Sequence, residues 1–108
     1  MSVFGQTRIK ARPASIGDNT IRALLANKKI RVCGGLICAS GGANTVVIKS
    51  SAGNTVFSLG AMAANEKVVL PFQDNWEMGW FETNAGEDLI ANLSAATIVE
   101  FQLVAYVI

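Results

Sequence analysis

VEFQLVAYVI, residues 99–108, is the stretch on which the fold turns. Val99, Phe101, Leu103, Ala105 and Val107 alternate with Glu100 and Gln102. Successive strand side chains point to opposite sides, so the segment predicts a β-strand with one face in a core. Past Gln102 the second face also becomes apolar, through Val104, Tyr106 and Ile108. Apolar groups on the outward face of a terminal strand call for cover, and a second subunit is its ordinary source.

Working outward, Leu89, Ala91 and Leu93 alternate with Asp88 and Asn92, and Val68, Leu70 and Phe72 alternate with Lys67 and Val69. Both segments read as half-buried strands. NTVVIK (44–49) and NTVFSL (54–59) each begin Asn-Thr-Val, with SSAG between them as a hairpin loop. Clusters of Gly, Asn, Asp and Ser recur at spacings of about ten residues, the rhythm of an all-β sandwich or barrel. DNTIRALLANKK (18–29) fits either a helix capped by Asp18 or a strand with Ile21, Ala23 and Leu25 on one face. The β character of its surroundings favours the strand. Within KIRVCGGLICAS (29–40), the Gly34-Gly35 pair marks a bulge or the close approach of another group, and a large aromatic would fit the gap. The expected fold is therefore all-β, an antiparallel two-sheet sandwich.

Residues 1–17 differ from the rest of the chain. VFGQTRIKARPASIG (3–17) sets Arg8, Lys10 and Arg12 on one side of an extended segment, and Pro13 then withholds a ladder donor. This predicts an extended N-terminal arm over residues 1–17, mobile or docked on a partner, and a sandwich domain over residues 18–108. Charge follows the same division. Up to Arg31 the chain carries Arg8, Lys10, Arg12, Arg22, Lys28, Lys29 and Arg31 against Asp18, whereas beyond it only Lys49 and Lys67 oppose the remaining acids.

Composition narrows the function classes. The 108 residues suit one domain, and 51% hydrophobic with 16% charged residues excludes the signature of disorder. No apolar run approaches the roughly 18 residues needed to cross a bilayer. The start lacks an apolar stretch behind a basic leader, so a soluble chain without a cleaved export signal, and no membrane partner, is expected. Cys33 and Cys38 lie an odd number of positions apart in one expected strand, facing opposite ways, and no histidine is present to complete a metal site. Free thiols in a reducing compartment are the expectation.

EMGWFETNAGEDL (77–89) is the densest chemistry, with Glu77, Trp80, Phe81, Glu82, Glu87 and Asp88. A catalytic carboxylate pair needs two acids facing one cavity with separated pKa values. Acids after the Asn84-Ala85-Gly86 turn are instead expected to be solvated, and Gly79 to turn the chain so that Trp80 or Phe81 enters the core. Lys49-Ser50-Ser51 is the nearest approach to an activated serine, but it sits on a hairpin shoulder. No enzyme activity, cofactor or metal is expected. Trp76, between Asn75 and Glu77, is a candidate for contact with a partner; with Trp80 it also allows a sugar-stacking reading. Nucleic acid is not the expected partner, because Arg8, Lys10 and Arg12 are few and the acidic body would repel phosphates.

The order of KKIRVCGGLICAS, the hairpin NTVVIKSSAGNTVFSL, AANEKVVLPF, GWFETNAGEDLIANLS and the closing strand resembles small β-sandwich virion proteins of tailed bacteriophages. Within that group it is most similar to capsid decoration, or cement, proteins. The resemblance covers residues 28–108. It implies a jelly-roll sandwich on the capsid surface, clustered as a homotrimer or else a dimer, that bridges and stabilises major capsid protein subunits. The candidate partner-contact residues are Arg8, Lys10, Arg12, Trp76, Val104, Tyr106 and Ile108. A sandwich module of a tail or fibre, binding a glycan or cell-surface polymer, is the alternative.

Overall fold

The computed structural model describes residues 5–23, 27–51, 53–72 and 79–108, all strand, turn and connection. Among the described residues nine strands form: β1 (Gly5–Ala11), β2 (Gly17–Arg22), β3 (Ile30–Cys38), β4 (Asn44–Ser50), β5 (Asn54–Met62), β6 (Lys67–Leu70), β7 (Phe81–Glu82), β8 (Leu89–Leu93) and β9 (Glu100–Val107). Sheet I has the order β1-β9-β3-β6, with β7 also pairing β3, and sheet II has the order β2-β8-β4-β5. Every pairing between these strands is antiparallel. Two antiparallel sheets packed face to face make a sandwich, and the shortest molecular dimension of 18 Å suits layers about 10 Å apart.

The alternation in β9 explains its central place. Phe101, Leu103 and Ala105 are at most 1% exposed, and they meet Ile9 of β1 and Val32 and Ile37 of β3 in the core between the layers. From sheet II, Val46, Ile48, Leu89, Ala91 and Leu93 close that core. The hairpin of β4 and β5 forms as read, with Ser50 opposite Asn54. Residues 17–22 take the strand alternative; Leu24 and Leu25 lie outside the described residues.

Sheet I corrects the reading of residues 1–17 as an arm. Over residues 5–11 the chain pairs with β9 across seven positions, from Gly5 opposite Val107 to Ala11 opposite Phe101. Ile9, on the face opposite Arg8 and Lys10, is only 2% exposed. The same alternation that sets the cations outward thus buries an isoleucine, and backbone pairing with β9 satisfies one edge of the segment. β1 is an edge strand, a position where outward cations are well tolerated. Pro13 falls in the connection to sheet II, beyond the ladder, so it interrupts no pairing.

The Gly34-Gly35 pair does both things expected of it. The β3–β9 register shifts between Val32 and Gly34, leaving Cys33 as the extra residue of a bulge. A Cβ on Gly34 would lie 2.9 Å from the Cα of Phe72 and 3.1 Å from the Leu70 carbonyl oxygen, so backbone, rather than the large aromatic side chain expected, occupies the space. Gly35 has φ 142°, and its Cβ would fall 2.3 Å from the carbonyl oxygen of Gln102. Gly35→Ala therefore adds a backbone clash to a conformation that side chains avoid, and urea unfolding is expected to show a loss of at least about 2 kcal/mol. Gly53→Ala, with no atom within 4 Å of the added carbon, should stay within about 0.5 kcal/mol of the parent.

Candidate interaction surface

Because strand side chains alternate, the ladder pairings fix the outer face of sheet I row by row. Arg8 lies opposite Val104, which lies opposite Gly34. In the next row Lys10 meets Gln102, Gln102 meets Leu36, and Leu36 meets Val69. The face therefore grades from a cationic column on β1 to an apolar column on β3 and β6. Val69 is 66% exposed and Phe72 50%. An open cleft lined by Thr7, Arg8, Phe72 and Val104 runs between the two columns.

Phe72 owes its position to Pro71. The sequence alternation of Val68, Leu70 and Phe72 predicts a third inward residue, but β6 ends at Leu70, which is buried, and Phe72 leaves the ladder. A proline cannot donate to a sheet, so pairing stops there and the chain passes over Gly34. Neither Phe72 nor Val69 was singled out as a contact by sequence reading. Their signal was the Leu-Pro-Phe punctuation at residues 70–72 set against the glycine gap in β3.

The other predicted contacts divide. Arg12 pairs with Glu100 of its own chain at 3.5 Å, whereas Arg8 and Lys10 have no ion-pair partner among the described residues. Val104 is half-buried. Tyr106, expected to await a second subunit, is only 7% exposed, in a row beside Arg31 of β3. Ile108, half-buried, is tied by both backbone bonds to Lys29, its N–H donating at 3.0 Å and its carbonyl accepting at 2.8 Å. The Tyr106 side chain is thus buried within the single chain, and the chain end is tied to the segment before β3. Trp76 lies outside the described residues.

Gly79, at φ 62°, turns the chain over Arg31, and Phe81 then enters the core at 7% exposure, stacked on Phe57 at 5.0 Å. Trp80 packs partly against the core, and its indole N–H donates to the Pro71 carbonyl at 2.8 Å. This braces the start of the Phe72 segment. Glu82 is held by Arg31 at 3.2 Å and by Lys29 at 3.5 Å, rather than left wet. Glu87 accepts a 2.7 Å bond from the Ser50 hydroxyl, Glu66 accepts the Ala63 N–H at 2.8 Å, and Asp88 is also engaged. Glu87 thus ties the end of β4 to the β7–β8 connection, Glu82 ties β7 to β3, and Glu66 braces the β5–β6 turn.

On the outer face of sheet II, Asp18 accepts from Asn92 at 2.7 Å and pairs with Lys49 at 3.2 Å. Those two partners, in that order, hold its carboxyl below the ordinary carboxylate value. Cys33 and Cys38 are free, and burial pushes the Cys33 thiol up. Among the described residues no group of three or more acids and cysteines is arranged to hold a metal ion. Comparison with known protein families, with curated proteins and with solved structures finds no match to this chain.

Hydrogen bonds from Ser50 first, and then Asn84, draw the Glu87 carboxyl below its ordinary value of 4.5. A group depressed in this way contributes stability that is complete above the ordinary carboxylate range and is lost as pH falls through the folded value. Carbon-detected NMR titration should place Glu87 low in the parent protein. In Ser50→Ala it should move back toward 4.5, and the acid limb of stability against pH should flatten.

Proposed function

We propose that this chain is a non-enzymatic structural virion protein: a capsid decoration, or cement, protein that binds the major capsid protein of a tailed bacteriophage and stabilises the shell from its surface. The strand orders β1-β9-β3-β6 and β2-β8-β4-β5 support the jelly-roll part of this reading, because each sheet interleaves early and late strands as two Greek keys do. The observation that carries the docking role is the outer face of sheet I. There, exposed Val69 and Phe72 share a surface with Arg8 and Lys10, cations without an ion-pair partner among the described residues. Burying what remains exposed of each of these two apolar side chains contributes about 1 kcal/mol, so many weak copies acting on one particle matter more than any single contact.

Since β1 is already paired in the sandwich, docking costs less ordering entropy than a free arm would demand. Clustering as a trimer, or else a dimer, belongs to the same reading. Ile16, 69% exposed at the corner between β1 and β2, offers an apolar contact between copies. The glycan-binding alternative drew on Trp76 and Trp80 together. Trp80 is half-buried and committed to Pro71, so no observation on it favours that alternative.

Purified protein added to undecorated phage heads is expected to bind in saturable, stoichiometric amounts and to raise the temperature at which the heads release DNA, followed by dye fluorescence. Light scattering on the free protein should find an oligomer. Heads that neither retain the protein nor gain heat resistance would end the proposal.

A further inference from the structure

The outer face of sheet I is more specific than a general sticky surface, because its two columns carry different chemistry at a fixed spacing. Arg8 and Lys10 are two residues apart on β1, which separates them by about 6.5–7 Å along the strand. Across from them, and past Val104 and Gln102, lie Leu36, Val69 and Phe72. A ligand that satisfies both columns must present carboxylates at strand spacing with apolar side chains beside them.

We infer that this face is the docking site for an acidic, extended polypeptide segment of another protein, with carboxylates on alternate residues meeting Arg8 and Lys10 and an apolar side chain entering the cleft between Val104 and Phe72. The inference rests on the docking role proposed above and names the partner's chemistry. Charge selects that partner. Face-to-face pairing of two copies would set Arg8 and Lys10 against themselves about an axis across the strands, and against the apolar column about an axis along them, so neither arrangement answers the cations with carboxylates. Nor does a second copy supply the carboxylates from its described residues, since Asp18, Glu66, Glu82, Glu87, Asp88 and Glu100 are each engaged within their own chain. A single-stranded nucleic acid would meet the cations with phosphates and Phe72 with a base, but it brings no aliphatic side chain to Leu36, Val69 and Val104.

The test uses the isotopically labelled full chain and needs no capsid. The probe is the blocked peptide Glu-Val-Glu-Val-Glu, with Lys-Val-Lys-Val-Lys and a single-stranded oligonucleotide of matched charge as comparisons. The acidic peptide should shift amides of β1, β9 and the β3–β6 region saturably, and the basic peptide should not. Arg8→Glu with Lys10→Glu should weaken binding about tenfold at low salt, as should Val69→Ser with Phe72→Ser, with retained amide dispersion showing that each variant folds. Shifts centred on sheet II, equal responses to both peptides, or tighter binding of the oligonucleotide would each overturn the inference. Particle decoration separates this inference from the reading beneath it. Unchanged decoration by the Arg8→Glu, Lys10→Glu variant overturns the surface and leaves the cement role, whereas saturable peptide binding by a protein that ignores capsids keeps the surface and removes that role.

Discussion

Sheet I depends on the pairing of β9 with both β1 and β3. The last strand of the chain is the central one, so the first strand and the third have no shared neighbour until it is in place. Phe101, Leu103 and Ala105, each at most 1% exposed, fill the core from that central position. Long-range pairing of this kind costs loop-closure entropy before its contacts form, which makes the burial on β9 the term that must outweigh it. A chain whose closing strand lost its alternation would leave β1 and β3 as two unsupported edges.

That pairing would fail without the bulge at Cys33. In a regular strand, side chains with Val32 inward would put Leu36 and Cys38 inward and Ile37 outward. One extra residue reverses the parity, so Val32 and Ile37 both reach the core while Arg31 and Leu36 both face out. Gly34 and Gly35 follow the inserted residue because the backbone there comes close to Phe72 on one side and to Gln102 and Leu103 on the other. The thiol of Cys33, held in the bulge and donating to the Arg31 carbonyl at 3.7 Å, is set by this geometry rather than by reactivity.

Much of the sandwich was legible because alternation is a local signal. β8, β9 and the β4–β5 hairpin could be read directly, and the glycine pair announced the bulge. Pairing is not local, and the misreadings lie there. The segment TRIKA looked like a solvated arm because its cations are conspicuous, while the burial of Ile9 depends on β9, nearly a hundred residues away in sequence. Tyr106 looked outward and uncovered because its ladder neighbour Arg31 and its burial are invisible from β9 alone. Phe72 looked inward because periodicity continues through Pro71, although the ladder does not. The buried Asn44 could not be foreseen at all. Its carboxamide bonds Ser94, Ala95 and Thr97 across the sandwich, a role that exists only once β4 and the β8–β9 turn are neighbours.

Edge protection is the competing explanation for the cations of β1, since charged side chains on an edge strand discourage pairing with other chains. β5, one edge of sheet II, carries no charged residue and is protected differently, by two register irregularities against β4 and a left-handed Gly60 at φ 71°. Edge protection would thus account for Arg8 and Lys10 taken alone. It gives no reason for Val69 and Phe72 to stay exposed on the same face, where they cost solvation free energy in an isolated molecule. Sheet II presents the contrast, with Asp18, Asn92 and Lys49 satisfying one another at the middle of its outer face. Among the described residues, sheet II holds that network at the centre of its outer face, whereas on sheet I Arg8 and Lys10 have no ion-pair partner beside exposed Val69 and Phe72. If sheet I is the side that docks, sheet II is the side left to water.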